Sequence, residues 1–508
     1  MRRRVGRRKP GREAGLPRIG PPRASPPVRR PVTLSIHPKR KGAMKQVLVL
    51  GAGRSAHYLV HRLLEMATGS DWFVTVGDID VDAADRLVAG HPRGAAIAFD
   101  VNDAALRDSR ISQADLVVNM LAPAFQHLVA WDCLSHGTHM LSVSYRDERL
   151  RALDTDAQRR GVLLLSELGL DPGIDHMSAM ALLDGVRGDG RTVTAFRSYG
   201  SGVPAPGQEV NPLGYWVTWN PRNVVMAGEN GAQYKENGRI KLVPHHRVFR
   251  HARPVDVEGV GRMEAYPNRD SLSYGSVFGL GDAETILRAT LRWPGWCATW
   301  DAIVRLGLPN ETLRVEALGE RTAAEVVEML LPGPDGDGTD GGAEDLAARV
   351  ARLLGLAADG AVMRNLRFLG LFDTDPLRCE GRTPAEMLIH LLGTRLAVPA
   401  GGRDMVILRH EVDLQSEDGR RDRIVSTMVA EGDGSFTAMA RTVGLPTALV
   451  VQLLLDRDLT LTGSLIPTHP AVYGPVLDAL AREGLAFEET TGTPGPAERA
   501  TSAAGGTR

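Results

Sequence analysis

Short apolar runs alternate with helical patterns from Lys45 to about Ser144. The runs include QVLVL, FVTVGD, AAIAFD, ADLVVNML and HMLSVS, and apolar residues between them recur at the three- and four-residue spacing of an amphipathic helix. VLLLSE (162–167) is a candidate sixth strand. Strands that alternate with helices in this way predict an α/β fold with a doubly wound, Rossmann-type parallel sheet.

The pattern changes from about Thr192. TVTAFRSYGSG predicts a strand, and the loop-rich, aromatic stretch after it indicates a second α/β domain with its own sheet. From about Asp282 to Ala397 the spacing is mostly helical, with a flexible loop predicted from Gly333 to Gly342. DMVILRHEVDL and DRIVSTMVAEG then predict a pair of strands, and SFTAMARTVGLPTALVVQLLLD predicts a helix.

The composition is that of an ordinary soluble protein with room for two or three domains. The formal net charge of the 508 residues is -1, so the chain has no overall attraction to nucleic acid or to a membrane surface. Cys133, Cys297 and Cys379 have no paired spacing, which argues against a disulfide framework or a Cys-based zinc site and favours the cytoplasm. No metal-ligand spacing occurs, and no apolar run reaches the ~18 residues of a membrane span.

The two ends of the chain differ from the rest. Residues 1–43 are rich in Arg and Pro and contain one acid, Glu13, so we predict a disordered basic extension. A transit peptide is the alternative, although the prolines would break its helix; we favour translation from Met44, where the fold signal begins. The polar tail, residues 491–508, is also predicted to be disordered.

The turn after the first strand carries the strongest local motif. GAGRSA places Gly51, Gly53 and Ala56 in the Gly-x-Gly-x-x-Ala form between a strand and a helix. Gly51 permits the tight turn, Gly53 lets a pyrophosphate approach the backbone, and Ala56 keeps the helix close to the sheet. We therefore predict a dinucleotide site here that includes Arg54 and Ser55.

Polar residues at other strand ends extend this predicted site. Asp78 ends the second strand, where an acid holds the ribose hydroxyls of NAD and repels the 2′-phosphate of NADP; Asp80 is then free to cap the next helix. We expect NAD as the cofactor, with NADP as the alternative. The residues expected to complete the cofactor site are Asp100, Val101, Asn119, Leu121 and Ser144.

The segment LGLDPGIDHM (168–177) joins a buried run to a helical pattern. Asp171 suits an N-cap and Pro172 the first helical position. Because ligands of open α/β sheets lie beyond the carboxyl ends of the strands, Asp171, Asp175 and His176 are also candidates for a ligand site. The residues alone are equally consistent with helix capping and with a role in a ligand site.

Several segments resemble saccharopine reductases, the L-glutamate-forming saccharopine dehydrogenases. The resemblance runs in order from about Lys45 to Phe487, on these segments: ELGLDPGIDHMSAM, NPLGYWVTWNPRNVVMAGENGAQY, YPNRDSLSY, ATLRWPGW, DMVILRHE and RTVGLP. It implies an enzyme that joins L-glutamate to α-aminoadipate semialdehyde through an imine, which a nicotinamide hydride reduces to saccharopine in lysine metabolism. It also implies a homodimer.

The resemblance implies three structural parts. A Rossmann domain at 44–145 is completed by 432–490, an α/β substrate and dimerisation domain comprises 146–281 and 398–431, and a helical domain is inserted at 282–397. Two departures from the family stand out. Many members carry a basic residue after the second strand, where this chain has Asp78, and some carry Tyr where this chain has Ala124, so Phe125 is a candidate replacement there.

The expected chemistry selects further residues. Saccharopine carries three carboxylates, and guanidinium groups bind carboxylates bidentately, so Arg222 and Arg269 are candidate substrate ligands. For both, a surface or interdomain ion pair is the alternative. The proton-transfer candidates are Tyr145, Asp171 and His176. The residues expected to contact substrate are Pro123, Ala124, Tyr145, Asp171, Arg222 and Arg269.

Two other functions compete with this one. A related imine reductase of polyamine metabolism, making carboxynorspermidine or homospermidine, would need acidic rather than basic recognition of its substrate. A nucleotide-sensing regulator is suggested by AMARTVGLPTALVVQLLLD, which resembles a helix-turn-helix, but PTALVVQLLLD has almost nothing to read base edges. We expect small-molecule substrates and neither nucleic acid nor membrane as partners.

Overall fold

The computed structural model describes residues 44–208, 210–333 and 345–493. The expectations for the extension at 1–43, for most of the loop at 333–342 and for most of the tail at 491–508 lie outside these ranges. The elements of the first part are, in chain order, β1 (Lys45–Leu50), α1 (Ala56–Thr68), β2 (Trp72–Asp78), α2 (Val81–Val88), β3 (Gly94–Ala98), α3 (Ala104–Gln113), β4 (Leu116–Asn119), α4 (Gln126–His136), β5 (His139–Ser142), α5 (Glu148–Arg151), α6 (Asp154–Arg160), β6 (Leu163–Leu165) and α7 (Ile174–Gly188).

The remaining elements contain the longest strands. They are β7 (Thr192–Pro204), α8 (Pro221–Met226), β8 (Ala232–Glu236), β9 (Arg239–Val243), β10 (Arg253–Val257), β11 (Gly261–Pro267), β12 (Arg269–Asp270), α9 (Tyr274–Val277), β13 (Thr285–Arg292), α10 (Trp296–Arg305), α11 (Ala323–Leu330), α12 (Leu346–Leu354), α13 (Ala361–Phe368), α14 (Pro384–Arg395), β14 (Asp404–Gln415), β15 (Arg421–Glu431), α15 (Ala438–Leu455), β16 (Gly463–Leu465), α16 (Pro470–Arg482) and β17 (Glu488–Gly492).

The first sheet is parallel throughout and has the order β16-β6-β5-β4-β1-β2-β3. Its strands are apolar because helices cover both faces. In β1, Val47 and Val49 pack into the core cluster on one face, whereas Leu48 and Leu50 pack into the cluster on the other. The predicted α/β fold with a Rossmann-type sheet is confirmed.

The second sheet has ten strands. Its main path runs β10-β11-β13-β7-β14-β15-β17, with β8, β9 and β12 attached at the side. The long strand β7 pairs parallel with β13 and antiparallel with β14. The predicted strand at TVTAFRSYGSG and the predicted pair β14 and β15 are present.

Three strands lie on the other side of the predicted domain boundaries. Leu163–Leu165 belongs to the first sheet although it falls within 146–281, and Glu488–Gly492 joins the second sheet although 432–490 was assigned to the first domain. Thr285–Arg292, predicted within the helical domain 282–397, is a strand between β7 and β11. Its β-branched residues Thr285, Ile286 and Thr290 favour a strand. The alternation of its side chains between two faces was not recognised in the sequence.

Helix α15 corrects one expectation and confirms another. Among the described residues it is the one helix long and apolar enough to cross a membrane by length and composition, contrary to the expectation that no run reaches that length. However, 67% of it is buried inside the protein, as is typical of a core helix. It also runs without interruption through Pro446, so the predicted helix is confirmed and the helix-turn-helix alternative is not.

Candidate active site

The turn between β1 and α1 has the geometry that its glycines predict. Gly51 has φ +106°, and a Cβ at this position would lie 3.1 Å from the carbonyl oxygen of Met120. No atom lies within 4 Å of where a Cβ of Gly53 would be, so the backbone is open to a ligand on that side. Ala56 begins α1 and is buried against the sheet. The turn therefore leaves room for a pyrophosphate at the start of the helix.

Asp78 lies directly beside this turn. Its Oδ2 accepts a hydrogen bond from the Ala52 amide at 2.6 Å, and its Oδ1 accepts one from the Asp80 amide at 2.9 Å. Asp80 caps α2 by accepting from the Ala83 amide, as predicted, whereas ribose binding by Asp78 stays a prediction. The Asp78 carboxylate thus lies where the end of β2 meets the glycine turn.

The ends of β3 and β4 border the same edge of the sheet. Asp100 is exposed, whereas Val101 is buried and accepts a hydrogen bond from Arg107. Asn119 is buried; its Oδ1 accepts from the Leu121 amide, but its Nδ2 has no partner among the residues described. An unpaired buried amide beside an open glycine turn fits a bound dinucleotide, which carries many acceptor atoms.

Pro123, Ala124 and Phe125 form one turn of 3₁₀ helix after β4. Pro123 and Ala124 are exposed, whereas Phe125 packs partly against the core of the first domain. Phe125 is therefore used at least partly for packing, and its role as a replacement for a family tyrosine stays a prediction.

Tyr145, Asp171 and Arg288 form the central polar cluster. Arg288 Nη2 donates to Asp171 Oδ1 at 2.5 Å and to the Tyr145 hydroxyl at 2.6 Å, and Arg288 Nε reaches the same Asp171 oxygen at 3.2 Å. Arg269 places its Cζ 5.7 Å from the centre of the Tyr145 ring. These four residues, called the Asp171 cluster below, bring together three predicted site residues and one, Arg288, that was missed.

Tyr145 keeps its proton in this setting. Although 36% of the residue is exposed, its hydroxyl is enclosed by the cluster, and that burial raises the pKa above the ordinary value of a phenol despite the opposing charge of Arg288. Since the hydroxyl oxygen accepts from Arg288, its own hydrogen is left to donate. Tyr145 is thus a neutral hydrogen-bond donor at the site.

Asp171 does not cap the helix that follows it. Helix α7 begins at Ile174 after Gly173, without a side-chain cap, and Asp171 is held by Arg288 instead. The predicted N-cap role is wrong because the stronger partner is a buried guanidinium from a distant strand. A Cβ at Gly200 of β7 would collide with Asp171 Oδ2, so the carboxylate lies against a strand position that requires glycine.

Behind the cluster lies a buried group of two carboxylates and one imidazole. His176 Nε2 is 2.7 Å from Glu167 Oε2, and His176 Nδ1 is 3.6 Å from Asp175 Oδ2. Burial lowers the pKa of His176, but the nearby Asp175 and Glu167 outweigh it and raise that pKa overall. His176 is 1% exposed and packs edge-on against Tyr274 and Phe278, so its catalytic role stays a prediction.

Asp175 gives this buried group a pH dependence. Burial raises the pKa of Asp175 to about 7, so the folded protein holds a proton that the unfolded chain releases near its ordinary pKa. Its contribution to stability is present at low pH and is lost as pH rises through the folded pKa.

Asp175→Asn should therefore gain melting temperature relative to wild type between about pH 5 and about pH 7, as scanning calorimetry can measure. Parallel curves for both proteins would contradict this assignment.

The two predicted arginines have different surroundings. Arg222, on α8, is half exposed and forms an ion pair with Glu311, the surface pairing considered as its alternative. Arg269 lies over Tyr145; Asp270, the neighbour that might have paired with it, accepts instead from Gln233 and the Leu272 amide. Arg269 therefore joins the Asp171 cluster, whereas substrate binding by Arg222 stays a prediction.

Arg54 and Ser144 connect the parts of the site. Arg54 Nη1 donates to the Val217 carbonyl at 2.8 Å, so the glycine turn touches the loop after β7. Ser144 accepts from the Glu167 amide through its carbonyl oxygen, whereas Ser55 precedes α1 without a side-chain cap. The glycine turn, the Asp171 cluster and the second sheet therefore border one region.

Comparison with known families agrees with this architecture. The family model described as the saccharopine dehydrogenase NADP binding domain matches residues 47–165, and the saccharopine dehydrogenase C-terminal domain matches residues 169–485. Together they span both sheets and both sides of the Asp171 cluster.

Individual relatives match over most of this chain, and two of them over almost their own whole length. Saccharopine dehydrogenase (NADP(+), L-glutamate-forming) of Schizosaccharomyces pombe is 30% identical over 453 residues, which cover 88% of this chain and 99% of the relative. The mitochondrial alpha-aminoadipic semialdehyde synthase of Bos taurus is 31% identical over 461 residues, 88% of this chain and 48% of the relative. The structure of apo saccharopine dehydrogenase (L-Glu forming) from Saccharomyces cerevisiae superposes with a TM-score of 0.77 at 28% identity, covering 88% of this chain and all of that one. With these matches added to the fold and the cluster, the chain belongs to the saccharopine dehydrogenase family.

Proposed function

We propose that this protein interconverts saccharopine with L-glutamate and α-aminoadipate semialdehyde in lysine metabolism, using a nicotinamide dinucleotide. The observation that carries the proposal is the Asp171 cluster, which gathers a carboxylate, a phenol and two guanidinium groups. Tyr145 and Asp171 follow β5 and β6, at the edge of the parallel sheet where the open glycine turn follows β1. The relatives from Schizosaccharomyces pombe and Saccharomyces cerevisiae carry this activity in their names, and each match covers 88% of this chain. A polyamine substrate would instead bring cations to Arg269 and Arg288, which repel them.

Each group of the cluster has a role in this reaction. Saccharopine, water and the oxidised cofactor give L-glutamate, the semialdehyde, the reduced cofactor and a proton; the bound nicotinamide accepts the hydride. Among the residues described, no hydrogen bond reaches Asp171 Oδ2, so this oxygen can accept from the substrate amine. Arg269 can bind a substrate carboxylate, and Tyr145 can donate to the carbinolamine hydroxyl, which leaves as water when the imine forms in the reductive direction.

Arg288 fixes the orientation of Asp171 and Tyr145. It is buried and holds Asp171 Oδ1 and the Tyr145 oxygen, so both groups present their remaining atoms in a fixed geometry. Arg288 is therefore a positioning residue in the proposed reaction.

The proposal is tested with purified protein, saccharopine and either NAD or NADP, by following reduced nicotinamide at its absorbance maximum. We expect turnover that depends on saccharopine, and in the reverse direction oxidation that needs both L-glutamate and the semialdehyde. Carboxynorspermidine and homospermidine should give none. Absence of turnover with saccharopine and both cofactors would refute the proposed function.

We further propose that NAD is the preferred cofactor, although the named relatives use NADP(+). Asp78 places a carboxylate at the end of β2, and Asp80 follows it; Arg86, a nearby cation, lies 3.7 Å from Asp80. A 2′-phosphate would therefore meet negative charge rather than an available guanidinium. This local negative charge supports NAD, whereas the cofactor in the names of the relatives argues for NADP.

Asp78→Asn separates charge from geometry, because asparagine can still accept from the Ala52 amide. We expect the NAD to NADP ratio of kcat/KM to fall by about tenfold or more, since a charge repulsion of 1.4 kcal/mol corresponds to about tenfold. Asp82→Asn, which changes an exposed acid in the first turn of the neighbouring helix α2, is the matched control and should leave the ratio unchanged. Wild-type preference for NADP would overturn the proposal.

The oligomeric state and the cellular location of the protein are also proposals. We propose a homodimer, supported by Ile240 and Leu242, which β9 exposes at 63% and 72%. We propose a cytoplasmic location, supported by three cysteines that are all free. Light scattering of the purified protein would test the first and fractionation of cells the second.

A further inference from the structure

The buried residues Glu167, Asp175 and His176, called the His176 group below, include one unsatisfied ring atom. His176 Nε2 is 2.7 Å from Glu167 Oε2, whereas Nδ1 lies 3.6 Å from Asp175 Oδ2 and forms no hydrogen bond to any residue that the structure describes. Buried polar atoms are nearly always satisfied. A shortening of about 0.5 Å would give Nδ1 a hydrogen bond to Asp175, so the imidazole and the carboxylate are placed to share a proton.

The backbone holds Glu167 in an uncommon conformation. Its φ is +64°, in the left-handed region that residues other than glycine rarely adopt. Its amide donates to the Ser144 carbonyl, and its Oε1 accepts from the Arg146 amide at 2.9 Å. Strain of this kind persists where the surrounding structure imposes it, and it is frequent at functional sites. Here it fixes the second carboxylate oxygen against the His176 ring.

Tyr274 connects the His176 group to the Asp171 cluster. Its ring centre lies 5.8 Å from that of His176. Burial raises the pKa of Tyr274 well above that of an ordinary phenol against the charge of Arg288, and Asp175 and Asp171 raise it further. The hydroxyl therefore lies close to both carboxylates and keeps its proton. Because a neutral phenol both donates and accepts, it can carry a proton from one carboxylate to the other.

Asp175 is the member of the His176 group that gains and loses a proton near neutral pH. Burial raises its pKa to about 7, although the neighbouring imidazolium opposes this. Burial also raises the pKa of Glu167, but the hydrogen bond from His176 and its charge outweigh burial and lower it overall. The group therefore changes between one net negative charge and none when Asp175 takes up a proton.

The charges around Asp175 and His176 leave no other acceptor that titrates in this range. The titratable and charged residues that face the two from the surrounding elements are Glu167, Asp171, Arg288, Tyr145, Tyr274 and His410. His410 stays neutral at pH 7, because burial lowers its pKa to about 4. Burial raises the pKa of both phenols above their ordinary value, so neither loses its proton.

The proposed reaction releases one proton inside this enclosed site. In the oxidative direction the secondary ammonium of saccharopine loses a proton, and the nitrogen lone pair then forms the C=N bond as hydride leaves carbon for the nicotinamide. Water adds to that carbon, and the C–N bond breaks. The water supplies the aldehyde oxygen, and its two hydrogens leave on the ammonium of L-glutamate. The proton lost at the first step is therefore the only one released.

We propose that the His176 group is the proton reservoir of this reaction. The inference rests on the proposed function. Asp171 takes the proton from the substrate amine, and the Tyr274 hydroxyl passes it to Asp175. Glu167 holds the imidazolium of His176, whose positive charge allows the buried Asp175 to be ionised beforehand. The proton leaves for solvent when the products dissociate, and in the reductive direction Asp175 supplies it.

A single turnover in weak buffer near pH 7, with a pH-indicator dye, tests the reservoir in wild type. Reduced nicotinamide should form first and the dye signal should lag behind it, because the proton stays on Asp175 until the products leave. Asp175→Asn can still accept from the Gly173 amide but cannot hold the proton. It should slow hydride transfer by about 10- to 100-fold and abolish the lag. Proton release in step with reduced nicotinamide in wild type would overturn the inference.

Ser178→Ala is the matched control on the same helix α7. The Ser178 hydroxyl is buried and lies 2.7 Å from His410 Nε2, outside the His176 group. The variant removes a buried hydrogen bond of α7 without removing a proton acceptor, so the lag and the rate of hydride transfer should stay at wild-type values. Loss of the lag in Ser178→Ala as well would mean that the effect comes from the packing of α7, and the reservoir would be refuted.

His176→Gln distinguishes a reservoir from a purely structural role. Without the imidazolium, the pKa of Asp175 rises further, so Asp175 is already protonated at neutral pH and cannot take up the proton. The acid limb of kcat for saccharopine oxidation should move to higher pH by about one unit or more, with the saccharopine KM at high pH unchanged. An unshifted acid limb would contradict the inference. If neither variant folds, the lag in wild type decides alone. Wild type without turnover would refute the proposed function together with the reservoir, whereas turnover without a lag would refute the reservoir only.

Discussion

Replacing Arg288 by Met should lower kcat/KM for saccharopine by about 1,000-fold or more. The variant removes the donor that holds both Asp171 and the Tyr145 hydroxyl, so the acceptor for the amine and the donor for water lose their orientation together. It also leaves the Asp171 carboxylate without its buried partner, which typically costs about 3–5 kcal/mol of stability. Steady-state kinetics and urea unfolding of the same preparation measure the two effects.

A double variant separates the two effects. Arg288→Met with Asp171→Asn removes both charges, so most of the lost stability should return, whereas activity should stay as low as in the single variant. Arg288→Lys, which keeps a charge but cannot reach two acceptors in the same fork geometry, should fall between wild type and Arg288→Met. Near wild-type turnover in folded Arg288→Met would remove Arg288 from the proposed mechanism.

Gly173→Ala should destabilise the protein by about 3 kcal/mol or more and abolish activity. Gly173 has φ +150°, and a Cβ there would overlap the backbone of Gly169. The turn is closed by backbone bonds from the Gly169 amide to Pro172 and from the Ile174 amide to Gly169, so it cannot open without displacing Asp171. Urea unfolding and the saccharopine assay check both effects.

Gly190→Ala is the matched control for this variant. Gly190 also has positive φ, +73°, but no atom lies within 4 Å of its added Cβ, so only the backbone strain of about 1 kcal/mol applies. Its activity should stay at the wild-type level. Equal losses of stability at both positions would mean that the close approach to Gly169 contributes nothing.

The sequence predicted the features that depend on local patterns. The glycine turn, the Asp80 cap and the alternation of the first sheet each follow from residues within a few positions of one another, and all three are present. Tyr145, Asp171 and Arg269 were identified as site residues without their partners. A pattern can indicate that a polar residue lies at a strand end, but it does not give the contact across the fold.

Arg288 was missed because of a wrong secondary-structure assignment. TILRATLR was taken as part of a helical region, in which its two arginines would lie on a surface at helical spacing. In a strand, the same letters give an apolar face of Leu287, Ala289 and Leu291 and a second face that carries both arginines. The change of period from 3.6 to 2 is therefore the signal that could have identified Arg288. The pairing of Asp171 with Arg288 has no local signal, because the two residues are 117 positions apart.

The final segment of the chain has a consequence for how the protein is made. β16 enters the first sheet beside β6, and β17 joins the second sheet beside β15, so neither sheet is complete before the last part of the chain is synthesised. A nascent chain that has emerged through β6 exposes the edge where β16 will later pair, and it must keep that edge from other partners while some 300 further residues are translated. Cutting the gene between the two family matches would therefore yield an N-terminal fragment without its last strand, not an independent cofactor-binding module.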